Sequence, residues 1–205
     1  MRRTALLLII AVGAMALAGC ATSPRGVGRF NTVVLDAGHG GHDPGARGID
    51  RNSREKVFAL DTAKRIERGL KARGYRVIMT RKGDYFVSLP QRVKISNKQR
   101  RAVFVSVHYN WSRRTSASGT ETFYHNSRSY PLAANIQREV DRASPMPNRG
   151  VKRARFHVLR NNAKPSALVE LGFMSNSQEL QKIKSSAYRQ KLADAVVRGI
   201  VKSSQ

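Results

Sequence analysis

Four residues of this 205-residue chain have the types and surroundings for metal-assisted hydrolysis. His39 stands in Leu-Asp-Ala-Gly-His-Gly-Gly, Glu55 in Ser-Arg-Glu-Lys and His108 in Phe-Val-Ser-Val-His-Tyr-Asn. A further carboxylate, Glu170, ends an apolar run in Ala-Leu-Val-Glu-Leu-Gly-Phe. Two neutral imidazoles and one carboxylate are a known zinc set that leaves a fourth position for water. The remaining glutamate has the chemistry to move that water's protons. Each residue alone also has a plainer reading. A histidine beside glycines is commonly a turn residue, Glu55 can be a helix N-terminal carboxylate favoured by the macrodipole, and Glu170 can be a buried salt-bridge partner.

Elements that bring such distant residues together can be read from the pattern. Thr32 to Leu35 is a short β-rich run closed by Asp36-Ala37-Gly38 and reads as a buried strand. From Glu55 to Arg73, Val57, Leu60, Ile66 and Leu70 recur at helical spacing, and Gly74 stops the helix. Tyr75 to Thr80 reads as a second strand, and Pro90 opens a helix that runs to about Lys98. Further strands are expected at Ala102–Val107, Thr120–Tyr124, Arg155–Leu159 and Ser166–Glu170. Helices are expected at Pro131–Asp141 and about Ala187–Lys202, with a short one opened by an Asn176/Glu179 capping box. The sum is a single α/β domain with a mostly parallel central sheet flanked by helices. Sites in such sheets gather beyond the carboxyl ends of the strands. His39, His108 and Glu170 lie at or just past such ends, and Glu55 starts the first helix beside the same edge.

The first residues read as an address. Arg2 and Arg3 precede an apolar stretch from Ala5 to Ala18 that is too short for a resident span. It ends in Leu17-Ala18-Gly19-Cys20, which resembles the lipobox of bacterial lipoproteins and implies cleavage before Cys20 and lipid attachment to it. Residues 1–19 are then a signal peptide, 20–30 a lipid-anchored linker and 31–205 the catalytic domain. Ala21 after the cysteine favours the outer membrane, facing the periplasm, if the source has two membranes. Cys20 is the only cysteine, so no internal disulfide is possible. The linker's Ala21–Arg29 stretch, which lacks apolar periodicity, reaches only about 30 Å when extended, which keeps the domain near the membrane.

The formal net charge is +25, or +23 once Arg2 and Arg3 are lost with the leader. Such charge usually raises nucleic acid as a partner. An export signal and the lack of an aromatic-interleaved nucleic-acid motif argue against it. Clusters at Lys98-Arg100-Arg101, Arg113-Arg114 and Lys152-Arg153-Arg155 suit anionic lipid or wall carboxylates, or are simply a solvated surface.

Taken in order, the blocks above, with Gly-His-Asp-Pro-Gly-Ala, Thr-Arg-Lys-Gly-Asp, Leu-Pro-Gln-Arg and Leu-Gly-Phe-Met-Ser-Asn, resemble the zinc-dependent N-acetylmuramoyl-L-alanine amidases of the amidase-3 family. The resemblance covers about residues 31–202 and implies zinc held by His39, Glu55 and His108, with Glu170 as the catalytic glutamate. The implied substrate is peptidoglycan, cut between N-acetylmuramic acid and the L-alanine of the stem peptide. His42, His125 and His157 match no ligand position; His42 is expected to line the site and His157 to be a structural histidine in a strand. Asp36 is a candidate for support behind the site or in the turn. Tyr109 and Trp111 replace smaller residues and are expected to reshape the floor near the metal. The helical insertion that covers the zinc in cell-division members is expected to be missing between Tyr124 and Arg155, so no obligatory activator protein is expected. Two rival readings share these residues: a zinc peptidase that cuts peptide cross-links, and a non-enzymatic basic lipoprotein that binds the wall.

Overall fold

The structure is a computed structural model that describes residues 27–204. Its strands are β1 Thr32–Ala37, β2 Arg76–Met79, β3 Ala102–Asn110, β4 Thr120–Tyr124, β5 Asn148–Arg153 and β6 Ser166–Phe173. Its helices are α1 Glu55–Lys71, α2 Leu89–Asn97, α3 Tyr130–Ala143, α4 His157–Arg160, α5 Ser177–Lys184 and α6 Ser186–Ser203. The strands form one sheet in the order β2-β1-β3-β6-β4-β5. The first four are parallel; β4 runs against β6, and β5 follows β4. The expected single α/β domain with a mostly parallel sheet between helices is what the chain forms.

Strand parity assigns the two faces. Val33 and Leu35 of β1, Val103, Val105 and Val107 of β3, and Ala167, Val169 and Leu171 of β6 join the larger core under α1, α3 and α6. Val34, Phe104 and Leu168, one residue out of phase, join a smaller core that includes Val93 of α2 and Val158 and Leu159 of α4. Parallel strands buried on both faces carry apolar side chains in both registers, as these do. The unequal cover matters for function. The second face has only a nine-residue helix and a four-residue one, and its carboxyl half is left open.

Several expectations change. Arg155–Leu159 is not a strand: the fifth strand lies earlier, and residues 157–160 are a helical turn. The strand is an edge strand, Asn-Arg-Gly-Val-Lys-Arg, with little of it buried, so it carries no apolar signature. Val158 and Leu159 are adjacent and buried, and a short apolar pair looks alike in a strand and a helical turn. Val57 is 57% exposed, and the buried stripe of α1 runs instead through Ala59, Thr62, Ala63, Ile66 and Leu70. Asn176 does cap α5, accepting from the Gln178 and Glu179 amides. Glu179 does not complete the box; its carboxylate accepts from the backbone amides of Gly119 and Phe173. Residues 1–26, with Cys20 and most of the expected linker, lie outside the described residues. Phe30 is buried, its ring 5.9 Å from that of Tyr75, so packing begins before β1.

Candidate metal centre

His39, Glu55 and His108 converge as their strand and helix ends require. β1 delivers His39 just past its last residue, β3 delivers His108 near its carboxyl end, and α1 opens with Glu55. His108 has the parity of Phe104, so it points to the thinly covered face. One ligand atom from each residue lies within 4.8 Å of the others. The Glu55 carboxylate sits between the rings, with Oε2 3.0 Å from His39 Nε2 and Oε1 2.8 Å from His108 Nδ1. Backbone amides hold the same carboxylate: Ala46 donates to Oε2 at 2.8 Å and Tyr109 to Oε1 at 3.1 Å. Burial raises the Glu55 pKa, but the two histidines outweigh it, and the group is held below the usual carboxylate range. Glu55 is also the acidic residue of its helix's first turn, so the plainer reading of it is true as well.

His39 is oriented from behind. Its Nδ1 meets Asp43 Oδ2 at 2.8 Å, which leaves Nε2 facing Glu55. A carboxylate on the far nitrogen is the usual means of fixing a metal-binding imidazole. Asp43 in turn accepts from the Gly45 amide at 3.0 Å. His39 has a φ of 62°, a left-handed conformation uncommon outside glycine. Gly38, just before it, lies against the His108 ring, where a methyl group would collide with the imidazole. The tight exit from β1 therefore serves both histidines.

Two buried arginines lock that exit. Arg92 donates to Asp36 Oδ1 at 2.6 Å, to the Ala37 carbonyl at 2.7 Å and to the His39 carbonyl at 2.7 Å. Arg81 donates to the carbonyls of Ala37, Gly38, Gly83 and Lys56. Asp36 also accepts from Thr80 and Ser106, both at 2.6 Å. Burial raises the Asp36 pKa, but Arg92 and the two hydroxyls outweigh it and lower it overall. Asp36 is thus support behind the site, acting through Arg92.

Glu170 lies beside His108 in the β3–β6 register and directly opposite Glu121 on β4. Its Oε2 is buried with no hydrogen-bond partner among the described residues. Burial, then the charges of Glu55 and Glu121, push its pKa well above the usual range. Glu121 is spoken for: Asn110 donates to Oε1 at 2.6 Å, and Arg149 and Lys152 pair with Oε2. An orphaned carboxylate oxygen next to two imidazoles and a fixed carboxylate is a donor set that suits a divalent cation.

These groups line a cavity of about 910 Å³ with Phe86, Leu89, Trp111 and Phe156 in its walls. Trp111 is 51% exposed and lines the cavity, and Tyr109 borders it and holds Glu55 through its backbone amide. The Tyr109 side chain is buried on the other face, its hydroxyl 2.7 Å from Thr62 Oγ1. His157 lines the cavity as the first residue of α4, so its expected place in a strand is wrong. His42 is exposed and stacks on Phe86 with centroids 4.2 Å apart, outside the cavity lining. His125 contacts the Ala154 carbonyl at the far end of β4. Between Tyr124 and Arg155 the chain forms α3 and β5 with a single 3₁₀ turn, and α3 packs into the larger core. The roles of Asp43, Arg81 and Arg92 were missed in the sequence. A histidine with an aspartate four residues on, in His-Gly-Gly-His-Asp, was the available signal for Asp43.

The chain is similar to several known proteins. A Bacillus subtilis protein of uncharacterised role, YqiI, is 39% identical over 91% of this chain and 91% of its own length. The Bacillus subtilis N-acetylmuramoyl-L-alanine amidase LytC is 36% identical over 83% of this chain, which spans only 35% of LytC. The catalytic domain of the amidase CwlV from Bacillus (Paenibacillus) polymyxa var. colistinus superposes with a TM-score of 0.82 at 36% identity, over 84% of this chain and 97% of that one. Residues 33–202 match the family model described as N-acetylmuramoyl-L-alanine amidase, and the chain belongs to that amidase-3 family.

Proposed function

We propose that the chain is a zinc-dependent peptidoglycan hydrolase that cuts the amide between the lactyl group of N-acetylmuramic acid and the first L-alanine of the stem peptide. The observation that carries this reading is the clustering of His39, Glu55 and His108 donor atoms beside the unpartnered oxygen of Glu170. When bound, zinc would lower the pKa of a water toward about 7 and polarise the scissile carbonyl. His39, Glu55 and His108 would hold it. Asp43 keeps the His39 ring turned toward the cluster, and the Ala46 and Tyr109 amides keep the Glu55 carboxylate from swinging away. Glu170 takes the proton of the attacking water and delivers it to the leaving amine, which leaves poorly unless protonated.

The same reading includes lipid attachment at Cys20, an outer-membrane location facing the periplasm if the source has two membranes, and activity without an activator protein. The lipobox-like Leu17-Ala18-Gly19-Cys20 supports the anchor, and the use of the Tyr124–Arg155 span for α3 and β5 supports activity without an activator. No helix among the described residues is long and apolar enough to cross a membrane.

Digestion of purified sacculi with mass analysis of the products tests the reaction. Intact stem peptides and peptide-free glycans are expected. Shortened peptides would instead make the protein a cross-link peptidase, and no products would make it a wall-binding tether. Chelation should abolish hydrolysis and added Zn²⁺ restore it. His108→Ala should lose the metal, while His157→Ala should keep it. Cys20→Ser should yield an uncut precursor; wild-type protein found unacylated in the soluble fraction would refute the anchor.

A further inference from the structure

The strands' amino edge, opposite the metal centre, is a basic platform, and we propose that it docks on an anionic phospholipid surface. The loops that form it are tied to one another by hydrogen bonds. The Asn31 and Thr32 amides donate to the Arg101 carbonyl, Arg76 to Asn31, and Phe104 to Pro165. Ala163 donates to Asn97, and Arg128 to Ala163. Segments 27–32, 71–76, 97–102, 125–130 and 160–166 therefore share one end of the molecule, and none of them carries Asp or Glu. Arg29, Arg73, Arg76, Lys98, Arg100 and Arg101 are exposed there. None of these six makes an ion pair among the described residues. Residues 1–26 contain no acidic residue either.

The choice of a bilayer over other polyanions comes from where the chain enters. Val27 and Phe30 pack at this same edge. Cys20 is seven residues before Val27, a span of at most about 25 Å at 3.3–3.6 Å per residue. This part of the argument rests on the lipid anchor proposed above. An anchor so close keeps the platform at the bilayer, where juxtamembrane basic groups are attracted to anionic head groups over roughly a Debye length. Docking in this sense turns the metal centre away from the lipid. The nine residues of β3, at about 3.3 Å each, lift it on the order of 30 Å above the surface.

The test uses the full chain, matured in cells, purified and reconstituted into vesicles of phosphatidylcholine alone or with about a third phosphatidylglycerol. A fluorophore is placed through Ala72→Cys at the platform or Asn52→Cys near the metal centre, and the head groups carry a collisional quencher. Quenching at position 72 should rise on the order of twofold with phosphatidylglycerol and fall back in high salt. Position 52 should stay unquenched. The pair Arg76→Glu with Arg100→Glu should abolish the rise, and the Gln pair should halve it, with wall hydrolysis retained as proof of folding. Equal quenching at position 72 in both vesicles overturns the proposal, as does quenching at position 52 or preferential capture by sacculi. Mass analysis of the same preparation separates the two readings. Acylated Cys20 without the rise sinks docking alone, and the rise without acylation supports docking and sinks the anchor.

Discussion

The two edges of the sheet use arginine in opposite ways. At the carboxyl edge Arg81 and Arg92 are buried, and every hydrogen bond they make goes to a carbonyl or to Asp36. At the amino edge Arg76, Arg100 and Arg101 face solvent without an ion-pair partner among the described residues. A guanidinium with five donors in a rigid fork can replace missing secondary structure by satisfying several carbonyls at once. That is its work beneath the site, where the chain turns too sharply for a regular ladder. At the other edge the same group supplies only charge. Residue type therefore says little here; the number of backbone acceptors within reach decides whether an arginine fixes shape or sets a field.

The comparison can be broken by substitution. The largest expected effect is at Glu170, where the Gln variant should keep its metal yet lose about 10²–10⁴-fold in turnover, measured on sacculi beside metal analysis. Near-normal turnover would move the proton transfer to another group, with Glu121 tested next. Arg92→Ala should cost about 3–5 kcal/mol, because it leaves Asp36 charged and buried without its cation. A urea midpoint shift too small for that would mean that water or Arg81 replaces it.

Acid sharpens the contrast further. The Asp36 pKa is lower in the folded chain than in the unfolded one, so its stabilisation is complete above the unfolded value of about 3.9. It disappears as pH falls through the lower, folded value. The gap in urea midpoint between wild type and Asp36→Asn should therefore be widest above pH 5 and close toward pH 2. A gap that grows on acidification would contradict the assignment. The smallest effect belongs to the solvent-facing arginines: Arg100→Gln should change stability by no more than about 0.5 kcal/mol.

Legibility followed the same division. β1, β3 and β6 were readable because strands buried on both faces are continuous apolar runs, and the histidines and Glu170 stand at their ends. The helices α3 and α6 were readable from Leu132, Ile136 and Val140 and from Leu192, Val196 and Ile200, all buried. β5 was misplaced because its edge position gives it no buried face to advertise. The reversal of β4 against β6 leaves no mark in β4 itself; the register reveals it, with Glu121, Thr122 and Phe123 paired to Glu170, Val169 and Leu168. Arg81 and Arg92 could not be singled out by type among 38 basic residues. Their roles depend on carbonyls more than forty residues away in sequence.

β6 is among the last elements made, yet it lies in the middle of the sheet, between β3 and β4. Until it is inserted, the β4–β5 pair has no strand through which to join the other three. Pairing of strands so distant in sequence comes late, because loop closure must precede any gain from contact. Glu170, the group proposed to carry the proton, arrives on that strand, so its delivery and the closing of the sheet are one event. A chain cut short before residue 166, or still threading through an export channel, would hold its imidazoles but not its acid–base group. With Glu170 in its proposed role, the site would become competent only when the last gap in the sheet is filled.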